Sequence, residues 1–551
     1  MNPPKKQVLL LNPFADICYE AKTEEEGKIL NSHIVCQTPL GLSYIYTYAK
    51  KKLKDFDFHI LDGQAILFEN ASKGMEANWN ILLEKIKHIN PSAIGIGAYF
   101  YRAAILFHET CKRIKEALPS TIIVAGGNYA TDATDLIMKD KNVDFTILSE
   151  GDITFVECLE KYFSNGDLSS INGFAYRDNK GLSISPKTNF IKDLNILPIP
   201  DRTQLPMNLY GQDISALDRV YDSYKMLNMT ISRGCANACT FCIAKQFWGR
   251  KIRYRDMESV LEEMRILKEE YGADIIAIDD DNFLLNKKEA SRIMKEMIKR
   301  NLNVKWLCSG GTNVRVLNND DDYLDLVIKS GYCFFNLAIE SSSNETLKKI
   351  KKPVTAEESE SLIKKVRSKY PGVYLNAFFM IGFPFETKQD ILNTFDFSEK
   401  LELDWSTFHT VNPYPNTEFY DYCVENKIIE PYGFVYGKSN KRIEEIFQQG
   451  LIDGGDWTSD WLSKMIYKHN LKINFLNNRN LRYKEYIQAL RDFEYIITLV
   501  PNHALAYRQA AYCSKELNNI EKYELYSNKE KEILANDSEF LNWYKELSLD
   551  Y

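Results

Sequence analysis

The stretch SRGCANACTFCIAKQFWGR, residues 232–250, places three cysteines, Cys235, Cys239 and Cys242, within eight residues. It follows the apolar run MLNMTIS (226–232), which is typical of a buried strand. Gly234 gives the backbone the freedom to turn where that strand ends. A loop with this spacing can surround one face of an iron–sulfur cube with three thiolates and leave one iron without a protein ligand.

Other chemistries also use clustered cysteines. A structural zinc site normally has four Cys or His ligands, and the nearest histidine downstream of the trio is His409. A nucleophilic or redox-sensing site needs only one or two thiols. The spacing therefore favours an iron–sulfur cluster, while a zinc site, a redox cysteine and a chance grouping in a loop are the alternatives.

The region that begins at residue 226 alternates apolar runs with helical patterns. After the first run come ADIIAIDD, VKWLCSGG, CFFNLAIE, YLNAFFMIG and WSTFHTVNP. Six such βα units are too few for a closed eightfold barrel, which has about 250 residues. The pattern predicts an open, partial (βα)6 barrel.

The first 195 residues show the same alternation. Short continuous apolar runs separated by amphipathic stretches predict an α/β fold with a doubly wound parallel sheet, which binds ligands at the carboxyl ends of its strands. Two prolines in DLNILPIPDR cannot continue a helix or a central strand and indicate a boundary near residue 195. The predicted strands are QVLLLNP (7–13), FHILDG (58–63), AIGIGAYF (93–100), TIIVAGGN (121–128) and DFTILSEG (144–151).

The strand pattern fades beyond about residue 430 and aromatic-rich helical patterns replace it. Ala489, Phe493, Ile497 and Pro501 follow one another at a spacing of four, like the second half of a tetratricopeptide repeat. We predict a short helical, tetratricopeptide-like cap. The predicted domains are residues 1–195, 196–430 and 431–551.

The composition of the chain argues against several classes of binding partner. The chain of 551 residues has a net charge of −7, so no overall basic field attracts nucleic acid or anionic lipid. No stretch reaches the roughly 18 apolar residues of a membrane span, and the remaining eight of the 11 cysteines are scattered singly, unlike a disulfide framework. We expect a cytoplasmic protein without a membrane span or a nucleic-acid partner.

The CxxxCxxC pattern at the end of the first strand of a partial barrel resembles the radical S-adenosylmethionine (SAM) superfamily, whose usual aromatic before the last cysteine is matched by Phe241. The resemblance implies a [4Fe–4S] cluster on Cys235, Cys239 and Cys242 whose open iron binds SAM. It implies that an electron from the cluster cleaves SAM to methionine and a 5′-deoxyadenosyl radical, which removes hydrogen from a substrate. It also implies a reductant such as flavodoxin or ferredoxin.

Later segments resemble the family's SAM-binding segments. These are DIIAIDDDNFLLN (274–286), AIESSSNETL (338–347) and FFMIGFPFET (378–387), and in the second of them Ala338 replaces the family's glycine. NPYPNTEFY (412–420) resembles a further segment but has Asn416 in place of glycine. The SAM contacts that the resemblance implies are Phe241, Asp280, Asp281, Glu340, Ser341, Ile381 and Gly382.

An α/β domain before such a barrel resembles the cobalamin-binding class of the same superfamily, over residues 7–430. The segments that carry this likeness are TPLGLSYIYTYAKKKL, AGGNYATD, LSEGDITF and LPIPDR. The resemblance implies that the cobalamin tail enters the carboxyl edge of the sheet and that the corrin ring lies between the domains. The implied contacts are Thr38, Gly41, Tyr99, Gly126, Gly127, Asn128, Thr131 and Glu150.

One segment is close to the signature by which other cobalamin proteins place a histidine on cobalt. In DFHILDG (57–63) the glycine comes one residue late, and His59 falls inside a predicted strand instead of a loop. We therefore expect no histidine on cobalt. Tyr99 and Tyr101 are the residues expected to cover the lower face.

The cofactors leave the reaction and the substrate open. Methylation of an unactivated carbon is the leading interpretation; radical ring formation or rearrangement and a non-catalytic cluster protein with a partner-binding helical tail are the alternatives. We assign no catalytic side chain. We expect a small-molecule or natural-product substrate at a barrel mouth lined by aromatic side chains such as Trp248, Phe283, Trp405, His409 and Tyr414.

Overall fold

The computed structural model of the chain describes residues 4–16, 34–99, 103–212, 215–430 and 452–549. Tyr101 lies outside these ranges, and so do residues 431–451 at the start of the predicted third domain. None of the helices within the described ranges is long and apolar enough to cross a membrane.

A mixed sheet forms the centre of the N-terminal part of the chain, and in the described residues it has seven strands in the order β2-β1-β3-β4-β5-β6-β7. The first five are parallel, as the apolar runs predict, and a hairpin adds the last two in antiparallel pairing. The strands are β1 Lys6–Asn12, β2 Phe56–Asp62, β3 Ala93–Gly97, β4 Ile122–Gly126, β5 Phe145–Ile147, β6 Phe174–Asp178 and β7 Gly181–Ser185.

Helices cover both faces of this sheet. Because successive side chains of a strand point to opposite faces, Val8 and Leu10 join one apolar cluster while Leu9 and Leu11 join another, and all four are fully buried. Burial on both faces explains why the strand is a continuous apolar run. The helices are α1 Leu40–Lys52, α2 Gly63–Asn70, α3 Gly74–Ile89, α4 Ala104–Ala117, α5 Asn128–Asp132, α6 Thr134–Ile137 and α7 Gly151–Phe163.

The part of the chain from residue 226 to residue 410 contains the six parallel strands at the predicted places. They form two groups, β8-β11-β12 and β13-β14-β15, which the bridges Trp306–Tyr332 and Thr312–Leu337 connect. Within the described residues β8 and β15 do not pair with each other, so the arc is open. The strands are β8 Met226–Met229, β9 Ser232–Arg233, β10 Arg253–Tyr254, β11 Ile275–Ile278, β12 Lys305–Cys308, β13 Phe334–Glu340, β14 Tyr374–Ile381 and β15 Trp405–Thr410.

Helices follow the strands of the arc along the chain. Two of them begin with capping boxes, in which the hydroxyls of Thr355 and Thr387 and the carboxylates of Glu358 and Asp390 satisfy backbone N–H groups of the first turn. The helices are α8 Ala244–Trp248, α9 Met257–Glu269, α10 Lys287–Lys299, α11 Val314–Asn318, α12 Asp321–Lys329, α13 Asn344–Lys349, α14 Ala356–Lys369, α15 Lys388–Lys400 and α16 Glu418–Glu425.

Residues 452–549 contain further helices, and the tetratricopeptide-like character of this part stays a prediction. Asn474, in a π-helical turn, accepts a hydrogen bond from the Ser406 N–H (2.9 Å) and donates one to the Ser406 carbonyl (2.7 Å). It thereby occupies the free edge of β15, which would otherwise expose unpaired backbone groups. The helical segments are α17 Ser459–Asn470, the π turn Leu471–Leu476, α18 Arg479–Arg482, α19 Tyr486–Leu499, α20 Ala504–Glu516, α21 Ile520–Asn536 and α22 Ser538–Glu546.

Candidate functional site

The three clustered cysteines line one cavity. The cysteine loop, residues 234–243, begins where β9 ends and borders a cavity of about 340 Å³, which we call the cluster cavity. Cys235, Cys239 and Cys242 all face it, and none of the three is in a disulfide. Among the described residues, no three His, Cys, Asp or Glu side chains are arranged to hold a single metal ion. Thiols spread around a space suit a cluster with several irons better than one tetrahedral zinc.

Backbone constraints hold the start of this loop. Gly234 has a φ of +104°, and a Cβ there would collide with the Lys251 carbonyl oxygen. The carboxylate of Asp280 accepts hydrogen bonds from the Ile231 and Ser232 N–H groups (2.8 and 2.7 Å) and from the Ser232 hydroxyl (2.6 Å). The turn therefore has little freedom, and the cysteines leave β9 in one fixed direction.

A buried ion pair faces the thiols. Lys352 Nζ lies 2.6 Å from Glu340 Oε1, and both side chains line the cluster cavity. Burial alone would lower the pKa of Lys352, but Glu340 and the thiols of Cys239 and Cys242 outweigh it and raise the pKa. Glu340 has a φ of +71° at an irregularity in the β13–β14 register. The site thus holds a permanent cation beside the cysteines.

The thiols themselves are difficult to ionise in the absence of a bound metal. Burial raises the pKa of Cys235 and Cys239, and it raises the pKa of Cys242 to about 11. The positive charge of Lys352 acts in the opposite direction on Cys235 and Cys239. Because metal ligation requires the thiolate, Lys352 favours the charge state that a cysteine needs as a metal ligand.

The structure places three of the seven residues predicted to contact SAM on the cluster cavity. They are Phe241, Asp281 and Glu340. The ring of Phe241 lies 6.0 Å from that of Phe383. Burial raises the pKa of Asp281 to about 6, and in the described chain its Oδ2 has no hydrogen-bond partner. Asp281 therefore offers an unused polar atom at this cavity.

The other four lie behind the cavity wall. Asp280 is 4% exposed and serves the backbone before the loop. Ser341 is fully buried with its Oγ 3.4 Å from Thr394 Oγ1, Ile381 is buried, and the Gly382 N–H donates to Glu386 (3.0 Å). Neighbouring residues that the sequence pattern does not single out line the cavity instead: Asn237, Asn282, Thr312, Asn313, Lys352, Phe378 and Met380.

The aromatic residues predicted at the barrel mouth lie in four different places. His409 lines the cluster cavity, where burial lowers its pKa, and Trp248 lines a second cavity. Phe283 and Trp405 are core residues, 1% and 6% exposed. Tyr414 packs against an apolar cluster of the first domain and lines neither cavity.

The second cavity, about 570 Å³, lies between the carboxyl ends of the first sheet and the barrel, and we call it the interdomain cavity. Thr131 is the one predicted cobalamin contact that does not line it, because its hydroxyl is engaged by the Ser149 N–H (2.9 Å) and the Gly127 carbonyl. The predicted contacts that do line it are Thr38, Gly41, Tyr99, Gly126, Gly127, Asn128 and Glu150.

The walls of the interdomain cavity have room and unused polar atoms for a large ligand. A Cβ added to Gly41 would meet no atom within 4 Å, and one added to Gly126 would meet only Ile147 Cβ, at 4.0 Å. Thr38 Oγ1 and Asn228 Oδ1 are buried without a hydrogen-bond partner in the described chain. These features fit cobalamin.

No histidine lines the described part of the interdomain cavity. His59 lies in β2, as the sequence predicts, with its Nε2 2.7 Å from Gln7 Oε1.

Three short segments contribute to both cavities. Arg233 lines the interdomain cavity and Cys235 lines the cluster cavity. In the same way, Asp279 lines the interdomain cavity and Asp281 lines the cluster cavity. In α8, Lys245 lines the cluster cavity and Trp248 the interdomain cavity. One layer of protein, which we call the shared wall, therefore separates the two cavities.

A protein-family model described as the radical SAM superfamily matches residues 229–398 of the chain. Cytidylyl-2-hydroxyethylphosphonate methyltransferase of Streptomyces wedmorensis is 26% identical over 86% of this chain and 91% of its own length. A protein of Methanocaldococcus jannaschii that bears the name of a methylthiotransferase is 31% identical over 57% of this chain and 67% of its own length.

Among solved structures, the cobalamin-dependent SAM radical enzyme OxsB, with aqua-cobalamin and SAM bound, is similar in fold. The TM-score is 0.63 with 14% identity, over 99% of this chain and 80% of that one. The similarity shows that the two chains share an α/β fold with a parallel sheet.

We expect the substitution Cys239→Ala to abolish cluster assembly while the chain stays folded, because a small, partly buried thiol in a loop contributes little packing. Iron and sulfide per chain after anaerobic reconstitution should fall from the wild-type value to background, and the free energy of unfolding should change by less than about 1 kcal/mol. Cys333→Ala, a half-exposed cysteine outside the cluster cavity, should retain the wild-type iron content. Wild-type iron content in the Cys239 variant would contradict the assignment.

We expect Gly126→Val to weaken aquacobalamin binding by at least about tenfold, or about 1.4 kcal/mol, because the added side chain points into the interdomain cavity. Thermal unfolding should be close to wild type, since the new Cβ collides with nothing. Gly372→Val is the matched control: it too has open space at the Cβ, but outside both cavities. Equal affinity in wild type and the Gly126 variant would place the ligand elsewhere.

Proposed function

The chain belongs to the radical SAM superfamily and is an enzyme of it, and we propose that it methylates an unactivated carbon of a small molecule with the help of cobalamin. The shared wall is the observation that carries this proposal. It sets the cavity of the cysteines directly against a second cavity that fits cobalamin. The names of the Streptomyces methyltransferase and of OxsB support the reaction and the cofactor respectively.

In this proposal the cluster cavity holds the [4Fe–4S] cluster on Cys235, Cys239 and Cys242, with SAM beside it. When bound, these groups supply the radical that removes hydrogen from substrate, and cobalamin supplies the methyl group. The ammonium of Lys352 and the free oxygen of Asp281 would face polar groups of SAM. Phe241 would pack on it.

The remaining predicted contacts would act indirectly. Asp280 would hold the loop, and Ser341, Ile381 and Gly382 would shape the wall from behind. In the interdomain cavity, Gly41, Gly126 and Gly127 would let the ligand approach the backbone, and the polar contacts would come from Thr38, Asn128 and Asn228. Glu150, whose carboxylate accepts hydrogen bonds from Arg253 and Arg233, would shape the wall.

The apolar part of the cluster cavity would keep water away from a carbon radical of the substrate. The side chains of Phe378 and Met380 on β14 line it, whereas that of Phe379 is buried against Phe408, and apolar side chains exclude water from the space between cofactor and substrate. His409, whose pKa burial lowers, is held neutral at pH 7. It would offer substrate a hydrogen bond without adding a charge.

We also propose the domain division 1–195, 196–430 and 431–551, with the last part a helical, tetratricopeptide-like cap. The protein would act in the cytoplasm on a small-molecule or natural-product substrate and would receive electrons from a carrier such as flavodoxin or ferredoxin. Two features support the domain division: the interdomain cavity, which is lined by residues from both sides of residue 195, and the helical fold of residues 452–549.

The proposal can be tested without the substrate. Reconstituted protein under anaerobic conditions is given a strong reductant, cobalamin and SAM with a carbon-13 methyl group. We expect two results: formation of 5′-deoxyadenosine, and transfer of the label to the added cobalamin. Cys239→Ala should give neither product beyond background, so it controls for chemistry in solution.

The alternatives give different results in the same experiment. Radical ring formation or rearrangement gives 5′-deoxyadenosine but leaves cobalamin unlabelled, which would contradict methyl transfer. A non-catalytic cluster protein gives neither product, which would contradict enzymatic function.

A further inference from the structure

Arg233 lies between the cysteine loop and the interdomain cavity, which it lines. It is the last residue of β9, two residues before Cys235, and its backbone pairs with Arg253 of β10. Its guanidinium group lines the interdomain cavity, although the side chain is only 6% exposed. The proposed function gives Arg233 no role.

The guanidinium group is bound by the first domain. Its Nη1 lies 2.7 Å from Asp152 Oδ2 and 3.4 Å from Glu150 Oε1, and its Nη2 lies 3.3 Å from Asp152 Oδ1. Both carboxylates are buried at the start of α7. A two-pronged contact of this kind fixes the orientation of an arginine and cannot be reproduced by lysine.

Aromatic rings and a second arginine complete the arrangement. The guanidinium carbon of Arg233 lies 5.2 Å from the ring centre of Tyr44 and 4.8 Å from that of Trp248, both within the range of cation–π attraction. Glu150 also accepts two hydrogen bonds from Arg253 Nη1 (2.8 and 2.9 Å). The two arginines that pair across β9 and β10 are thus both held by the first domain.

A buried network of charges adds little to the stability of a fold. The free energy needed to remove several charges from water is about as large as the free energy gained from their mutual attraction. Such a network does fix the relative positions of the segments that carry the charges. Here they fix the start of the cysteine loop relative to the carboxyl edge of the first sheet, where Glu150, Tyr44 and Trp248 also line the interdomain cavity.

We propose that Arg233 is a positioning residue that couples occupancy of the interdomain cavity to the setting of the cysteine loop. This inference rests on the proposed function, because it takes cobalamin as the occupant and an iron–sulfur cluster as the occupant of the loop. A ligand in the interdomain cavity meets Arg233 and its partners directly. The constraint reaches Cys235 through two residues of backbone, and coupling between two binding sites is reciprocal by thermodynamic necessity.

The coupling is measured as a ratio of two dissociation constants. Full-length wild-type protein is titrated with aquacobalamin with the cluster absent and again after reconstitution. We expect the two constants to differ by at least about fivefold, the lower end of typical coupling between sites. In Arg233→Lys, which keeps the charge but loses the two-pronged contact, we expect the ratio to be about one.

Two further variants keep the experiment decisive. Asp152→Asn removes the charge of the partner of Arg233 and keeps its shape, so it should also bring the ratio of the two dissociation constants towards one. It serves as the test variant if Arg233→Lys folds poorly. Arg367→Lys alters another buried arginine pair, with Asp404 at 2.7 Å, outside both cavities, and should leave the ratio at its wild-type value. Thermal unfolding of each variant separates loss of stability from loss of coupling.

The outcomes distinguish this inference from the function on which it rests. If wild type binds aquacobalamin but the ratio is one, or if Arg233→Lys and Asp152→Asn retain the wild-type ratio, the coupling role is wrong and the proposed function stands. If wild type binds no aquacobalamin, both the cofactor assignment and the coupling role are wrong.

Discussion

The carboxylate of Asp280 holds the backbone from which the cysteine loop begins. Three hydrogen bonds from Ile231 and Ser232 end at this one buried group, and burial raises its pKa to about 7. Immediately afterwards Gly234 turns the chain in a conformation that other residues rarely adopt. The rest of the site depends on this fixed backbone, because its direction determines that the three thiols lie on the cluster-cavity side of the shared wall.

The same short strand also connects the two domains. Arg233 is held by carboxylates of α7, and nearby Glu263 pairs with both Arg202 and Arg255 (2.7 and 2.5 Å), while Arg255 donates to the hydroxyl of Tyr44 in the first domain (2.9 Å). The domains therefore meet through hydrogen-bonded charges as well as apolar packing. A polar interface of this kind sets one orientation, and it leaves room for the interdomain cavity beside it.

Much of this architecture can be predicted from the sequence because burial on both faces of a parallel sheet leaves continuous apolar runs. The strands β1–β5 and the six of the arc were identified in that way, and the cysteine spacing located the cluster cavity. Side-chain direction at the strand ends is harder to predict. Asp280 and Asp281 are adjacent and chemically identical, yet one supports the loop and the other faces the cavity. In β14 it is Met380, not Ile381, that lines the cavity.

Contacts between distant segments have no signal in a single sequence. Lys352 is one of four lysines within residues 348–352, and only the fold shows that it turns inward to Glu340. The role of Arg233 depends in the same way on where α7 lies, 80 residues earlier in the chain. Thr131 is predicted to contact cobalamin, but its hydroxyl accepts a hydrogen bond from the Ser149 N–H and donates one to the Gly127 carbonyl. The contact with Ser149 joins separate segments and cannot be predicted from the local sequence pattern.

Three cysteines that hold an iron–sulfur cluster and leave one iron open would allow SAM to bind that iron. Electron–nuclear double resonance on the reduced, reconstituted protein tests this directly, with SAM carrying nitrogen-15 in its amino group. We expect a magnetic coupling between the cluster and the label. A cluster that shows no coupling at saturating SAM, or protein that contains zinc instead of iron, would contradict it.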